Sequence, residues 1–403
     1  MPKFLPTIVL CLALTGDYHP SVTAAPPPNQ PVSAPDLDRQ PPSFWVEQLG
    51  SDSFAMRQRA SHELQLAGTR ATAALREGLS LPDLEIRKRA ASLLQLLEVD
   101  DFEAERLRLR QATESGQTYR LPGWLAYRDQ AGDTAASRRL FAELAGRYRQ
   151  ELHDLETNPK QILADPLQAA ESATAARLLA RLTAGDTVAW TLSLTAVNAQ
   201  RQRSCSQAHQ IRSGLASSRC QSKLQASPHA EVLKRLIAHF LEHDAEHPLE
   251  RISLRLALQW ECTPQALALA RQATSPQHRV SPGCLSLALI VLTRHAPDEA
   301  RPRLLESLHD ARTAQVWQIV ATTRRRLQTQ VSDVALAMLL TLEQVDPRDV
   351  GFQDLEADPL TIYREHTMGF ANEQSRQAAH QAARRATEQA ASLMTPIRLR
   401  FGN

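Results

Sequence analysis

Met56-Arg57-Gln58-Arg59-Ala60-Ser61-His62-Glu63-Leu64-Gln65-Leu66 returns thirty residues later as Ile86-Arg87-Lys88-Arg89-Ala90-Ala91-Ser92-Leu93-Leu94-Gln95-Leu96, with six of eleven positions identical. A repeat of this period marks a helical solenoid, in which each unit buries its apolar face only by stacking on a neighbour. In both copies an apolar residue, Ala and Leu recur four apart, as Met56, Ala60, Leu64 and as Ile86, Ala90, Leu94. That is one buried stripe at helical spacing. Arg57, Arg59, Arg87 and Arg89 lie off it, where salt bridges between repeats are their expected use.

The rest of the chain carries the same helical signature. Only 14 of 403 residues are Gly, and Ala, Leu, Arg, Gln and Glu abound, a composition that favours helices joined by short turns. The fold class expected is all-α, an α-solenoid of stacked helical hairpins, with no convincing run of strands. Repeats are read at 43–115, helical hairpins at 116–200 and further helical repeats at 228–345. The residues 346–371 read as irregular, and a last helix with a tail occupies 372–403. Ala131-Gly132-Asp133-Thr134 recurs as Ala184-Gly185-Asp186-Thr187, and each copy is expected to form a hairpin corner in which Gly ends one helix and Asp caps the next. Ala314–Leu327 is read as one of the helices. Trp45, Trp124, Trp190, Trp260 and Trp317 all sit in apolar context and are expected in the core.

The first 24 residues read as an export signal. Lys3 gives a positive start, Phe4–Leu14 an apolar stretch, and Val22-Thr23-Ala24 the small residues before a cleavage site. The stretch is too short to span a bilayer, so the body is expected to be extracytoplasmic, periplasmic or secreted, with no transmembrane span. Residues 25–42 are rich in Pro and polar, an extended linker. Export permits disulfides among Cys205, Cys220, Cys262 and Cys284. Sequence neighbours give the pairs Cys205–Cys220 and Cys262–Cys284, with buried thiols as the alternative for the second pair.

The echoed helices resemble the second helices of HEAT repeats, whose pattern of a polar cap, an apolar residue, Arg and an inner-face Ala stands here as Asp83-Leu84-Glu85-Ile86-Arg87-Lys88-Arg89-Ala90. Asp333-Val334-Ala335-Leu336-Ala337 resembles the same element without the Arg. The whole chain is similar to bacterial extracytoplasmic HEAT-like proteins. The resemblance implies a scaffold for protein partners.

Three candidate sites follow from the residues themselves. The stretch 201–227 is polar and basic, with Arg201, Arg203, Arg212, Arg219 and Lys223 and no acid between them. It reads as a long loop or insertion, either simply solvated or docking an acidic protein or an anionic wall polymer. It lacks the aromatics that single-stranded nucleic acids stack on, and a net charge of +2 gives no instruction toward nucleic acid. The second candidate is His239-Phe240-Leu241-Glu242-His243. Two histidines four apart on a helix can share a zinc ion, and Glu242 can activate water, which makes a zinc-dependent hydrolase the alternative. The third is the ridge formed by the repeat arginines. Arg324-Arg325-Arg326 is a further basic cluster, read as a solvated helix end. The leading expectation is a non-catalytic interaction scaffold that uses no cofactor.

Overall fold

The computed structural model describes residues 40–158, 173–200, 205–242, 249–320 and 324–393. The expected signal sequence, most of the Pro-rich linker, Arg201, Arg203, His243 and the final tail lie outside the described residues. The described chain is predominantly helical, and none of its helices is long and apolar enough to cross a membrane. It divides into two compact units, up to Glu98 and from Val99 onward.

In the first unit α1 (Pro42–Gln48), α2 (Phe54–Ala67), α3 (Thr72–Gly78) and the start of α4 (Leu84–Gln111) close around Trp45, Val46, Leu49, Leu64, Leu75 and Leu94. The echo in sequence is an echo in hydrogen bonding. Ser53 caps α2 by accepting from the Met56 N–H, and Asp83 accepts from the Glu85 and Ile86 N–H groups. Each cap satisfies donors that have no partner within the helix. Arg57 then reaches back to the Ser51 and Asp52 carbonyls at 2.6 and 3.1 Å. Arg87 does the same to the Leu81 and Pro82 carbonyls at 2.8 and 2.6 Å. Every partner is displaced by thirty residues. The expectation of salt bridges is therefore corrected for this pair of arginines, which clip the loop before their own helix. Arg59 lies over the Trp45 ring, and Arg89 pairs with Glu85 one turn earlier on α4.

The second unit begins with the rest of α4, followed by α5 (Trp124–Ala131), α6 (Ala135–Arg147), α7 (Arg149–Thr157), α8 (Ala173–Thr183) and α9 (Thr187–Asn198). Next come α10 (Cys205–Ala216), α11 (Ser218–Gln225), α12 (Ala230–Glu242), α13 (Arg251–Gln259), α14 (Thr263–Ala273), α15 (Pro282–His295) and α16 (Pro297–Ser307). The strands β1 (Thr313–Val320) and β2 (Arg324–Gln330) precede α17 (Val331–Leu342), the two-residue strands β3 (Ala357–Asp358) and β4 (Ile362–Tyr363), and α18 (Glu373–Leu393).

Three of these helices are buried on nearly every side: α9, α15 and α17. A helix that is apolar all round has to sit inside, and the amphipathic helices pack around these three. α5, α6, α8 and α12 lie against α9, while α13, α14 and α16 lie against α15. The corners form at Gly132 and Gly185, with φ of 78° and 74°, a region that side chains other than Gly avoid. Asp186 caps α9 as expected. At the first corner the cap is Thr134 instead of Asp133, because the Asp133 carboxylate is held by Arg138 at 2.5 Å and by the Gly116 N–H at 2.6 Å.

Three expectations are overturned. The described part of the 201–227 loop is helical, as α10 and α11. Its few apolar residues, Ala208, Ile211, Leu215, Cys220 and Leu224, are all buried and fall at helical spacing, which is enough to fix two short helices against a neighbour. Ala314–Leu327 is an antiparallel hairpin in which Val316 faces Gln328 and Trp317 faces Leu327; its Val, Ile and Trp residues favour a pleated, half-buried surface. Trp317 is accordingly 46 % exposed, whereas the other four tryptophans are in the core.

Candidate groove beside the hairpin

Two cavities that share Arg364 and His366 bring Trp, Arg, His and carboxylate side chains together. The first, about 220 Å³, lies among Arg251 and Arg255 of α13, Arg364, Glu365, His366 and the β3–β4 turn. The second, about 520 Å³, lies between Trp317 of β1 and the segment 353–367. Arg364 and His366 line both. β2 anchors this segment through paired backbone bonds between Gln328 and Phe370 at 3.0 and 3.2 Å. The approach depends on Gly369, where a Cβ would lie 2.7 Å from Gln328 backbone atoms and 2.5 Å from Thr329 Oγ1.

The acids of the groove are bound into its walls. The buried Glu365 accepts from Arg251 at 3.1 Å and from the Gln315 amide at 2.8 Å. Asp358 accepts from the Leu360 and Thr361 N–H groups and the Thr361 hydroxyl. Burial alone would raise the Asp358 carboxyl, but these hydrogen bonds outweigh it and hold it below its ordinary pKa. Asp354 pairs with Arg325, and Glu356 pairs with Arg364 at 2.7 Å in an exposed bridge. Arg255 is exposed and has no acidic partner among the described residues. His366 stacks on Trp317 with ring centres 4.3 Å apart, and burial pushes its imidazole below the usual histidine range. Ile362, the first residue of β4 and next to Thr361 of the first cavity, has φ of 62°. A β-branched residue there is strained, and such strain concentrates at functional sites.

The residues singled out by sequence do not assemble in this way. Arg212 is buried, 3.4 Å from Glu250 and 3.5 Å from the Ser253 hydroxyl, so it joins α10 to α13 and cannot act as a surface cation. Lys223 donates to the Ala184 carbonyl at 2.8 Å, at the end of α8. Arg219 is exposed on the same helix, α11. Cys220, Cys262 and Cys284 are free thiols, so the pairing of Cys262 with Cys284 is not formed; the Cys205 side chain lies outside the described residues. Burial pushes the Cys262 and Cys284 thiols up to about 11. In the zinc motif Glu242 ends α12 exposed, accepting from the Gln265 amide at 2.7 Å. His239 is half-buried, and no cluster of three metal-binding side chains occurs among the described residues.

The groove escaped the sequence reading because its parts are scattered from Arg251 to Thr367 with no shared motif. One signal was present: Trp317 is followed within ten residues by Arg324-Arg325-Arg326 in a stretch rich in Val, Ile and Thr. No family model, curated protein or solved structure matches the chain.

Proposed function

We propose that this chain is a non-catalytic, extracytoplasmic interaction scaffold built on HEAT-like helical units, and that the groove beside the hairpin is its recognition surface. The observation that carries the reading is the groove itself. An exposed Trp and an exposed Arg with no acidic partner among the described residues border cavities in which Glu365, Asp358 and Asp354 are held in structural bonds. Aromatic and Arg side chains are the types enriched at protein interfaces. The thirty-residue displacement of caps and arginine clips in the first unit supports the repeat reading.

The reading is tested by replacing Arg255 with a photo-crosslinking residue in cells that express the full chain, with exposed Arg70 replaced in parallel. Discrete protein adducts are expected at 255, absent at 70, and lost when Trp317→Ala is added. Adducts only to wall polymer, or none at 255, overturn the proposal.

A further inference from the structure

The hairpin is asymmetric. β2 has its outer edge engaged at Gln328 by Phe370 and carries three consecutive arginines. β1 pairs with β2 and meets no second strand among the described residues. Thr313–Val320 contains no charged residue, and Val316, Trp317 and Gln318 are all exposed. Proteins ordinarily protect a sheet edge with charge, Pro, a bulge or a covering element. From Val316 onward β1 has no charge, Pro or bulge, and its irregularity lies at Thr313–Gln315; α15 and residues 365–368 pack against the strand as well.

We infer that β1 receives an extended, acidic segment of a protein partner by strand addition, which completes a third strand beside the groove. This rests on the groove being the recognition surface and specifies what it takes. Strand addition supplies backbone hydrogen bonds along the edge, with pockets for alternate side chains giving specificity. The cavity of about 520 Å³ under Trp317 is such a pocket. Charge selects the occupant. Arg255 has no acidic partner among the described residues, and Arg364 is held only in a bridge exposed on both sides, of the kind worth little in water. A carboxylate from outside can therefore replace Glu356 there at small cost. An incoming basic segment would be repelled by Arg255 and Arg364, and Glu356 is the one acid of the groove that it could take over.

The probe is a blocked ten-residue peptide alternating Glu and Val, added to the full chain. Binding is read from Trp317, the exposed one of the five tryptophans, whose emission shifts to the blue on burial. Two further peptides accompany it: one alternating Lys and Val, and one of the Glu–Val sequence with two amides N-methylated on its pairing edge. Expected is saturable binding of the Glu–Val peptide, weakened about tenfold or more by N-methylation, in line with the loss of two backbone bonds. No binding is expected for the Lys–Val peptide. Arg255→Gln with Arg364→Gln should weaken the Glu–Val peptide several-fold and flatten its salt dependence. Equal binding of the N-methylated peptide overturns strand addition, and equal binding of the Lys–Val peptide overturns the acidic partner. If no peptide binds while the crosslinks at 255 persist, this inference falls and the scaffold reading stands. Loss of both brings down both.

Discussion

Asp333 shows how much a single residue can hold. It is fully buried at the third position of α17, accepts the Gln330 N–H at 2.8 Å, and takes the Arg376 Nε at 2.9 and 3.1 Å. Arg376 in turn donates to the Gln328 carbonyl at 2.8 Å, so one ion pair joins α17, α18 and the hairpin. Removing one partner of a buried pair leaves the other charge uncompensated, at a cost of about 3–5 kcal/mol. Arg376→Met, which strands the buried Asp333, is expected to lower stability by that much in urea titration, and Asp333→Ala should also destabilise, by less, because Arg376 keeps Glu373 at 2.5 Å. A loss below about 1 kcal/mol in Arg376→Met would mean that the pair is not formed. His366 acts in the opposite sense. Burial depresses its folded pKa and that of His295 below the ordinary 6.5, so protonation favours the unfolded chain. This contribution is intact above 6.5 and is lost as pH falls through the lower folded values. The urea midpoint should drop on acidification below about pH 6.5, and His366→Gln should flatten part of that drop. An unaltered pH slope in the variant counts against it.

At the scale of elements, the hairpin depends on a backbone approach that only a residue without Cβ allows. Gly369→Ala drives a methyl into Gln328 backbone atoms that cannot yield as a flexible side chain would. The bridge from β2 to Phe370 should open, and stability should fall by about 1–3 kcal/mol, the usual range for overpacking. Hydrogen exchange should then show the Gln328 and Phe370 amides losing protection while those of α9 keep theirs; equal loss in both would place the damage elsewhere. The same elements show what was legible beforehand. α14 and α15 could be placed almost to the residue because each opens with a Pro in its first turn, Pro264 and Pro282, and runs on in Ala and Leu, with Ser281 capping α15. α10 and α11 were hidden by composition: a stripe as sparse as Ala208, Ile211 and Leu215 suffices when the neighbouring surface is apolar, but it does not stand out among Ser, Gln and Arg. β1 was hidden by length, since a short apolar run is consistent with a helix or a strand, and what decides it is the partner strand. The groove was hidden for a third reason. Arg251, Glu365 and Trp317 meet only after the chain has folded, and no local rule encodes a contact 114 residues apart.

For the whole molecule the deciding fact is that the buried hydrophobic core of the described residues falls into two separate clusters. Trp45, Leu64 and Leu94 belong to one, while Leu192, Leu287 and Leu336 belong to the other. Cooperative unfolding follows a shared core, so two clusters imply two transitions under heat or denaturant. Truncating a buried Leu costs about 2–5 kcal/mol, and the loss should appear only in the unit that contains it. Leu64→Ala is expected to lower the first unit's transition and leave the larger one in place, while Leu287→Ala does the reverse. Calorimetry of the full chain separates the two, and the emission of Trp45 assigns the first. The division also bears on binding. The groove lies wholly within the second unit, so Leu64→Ala should leave peptide affinity and the crosslink at 255 unchanged at a temperature where the first unit is already unfolded. A single endotherm that both variants shift by the same amount would mean that the chain unfolds as one body, and recognition would then depend on the stability of the repeats as well as on the groove.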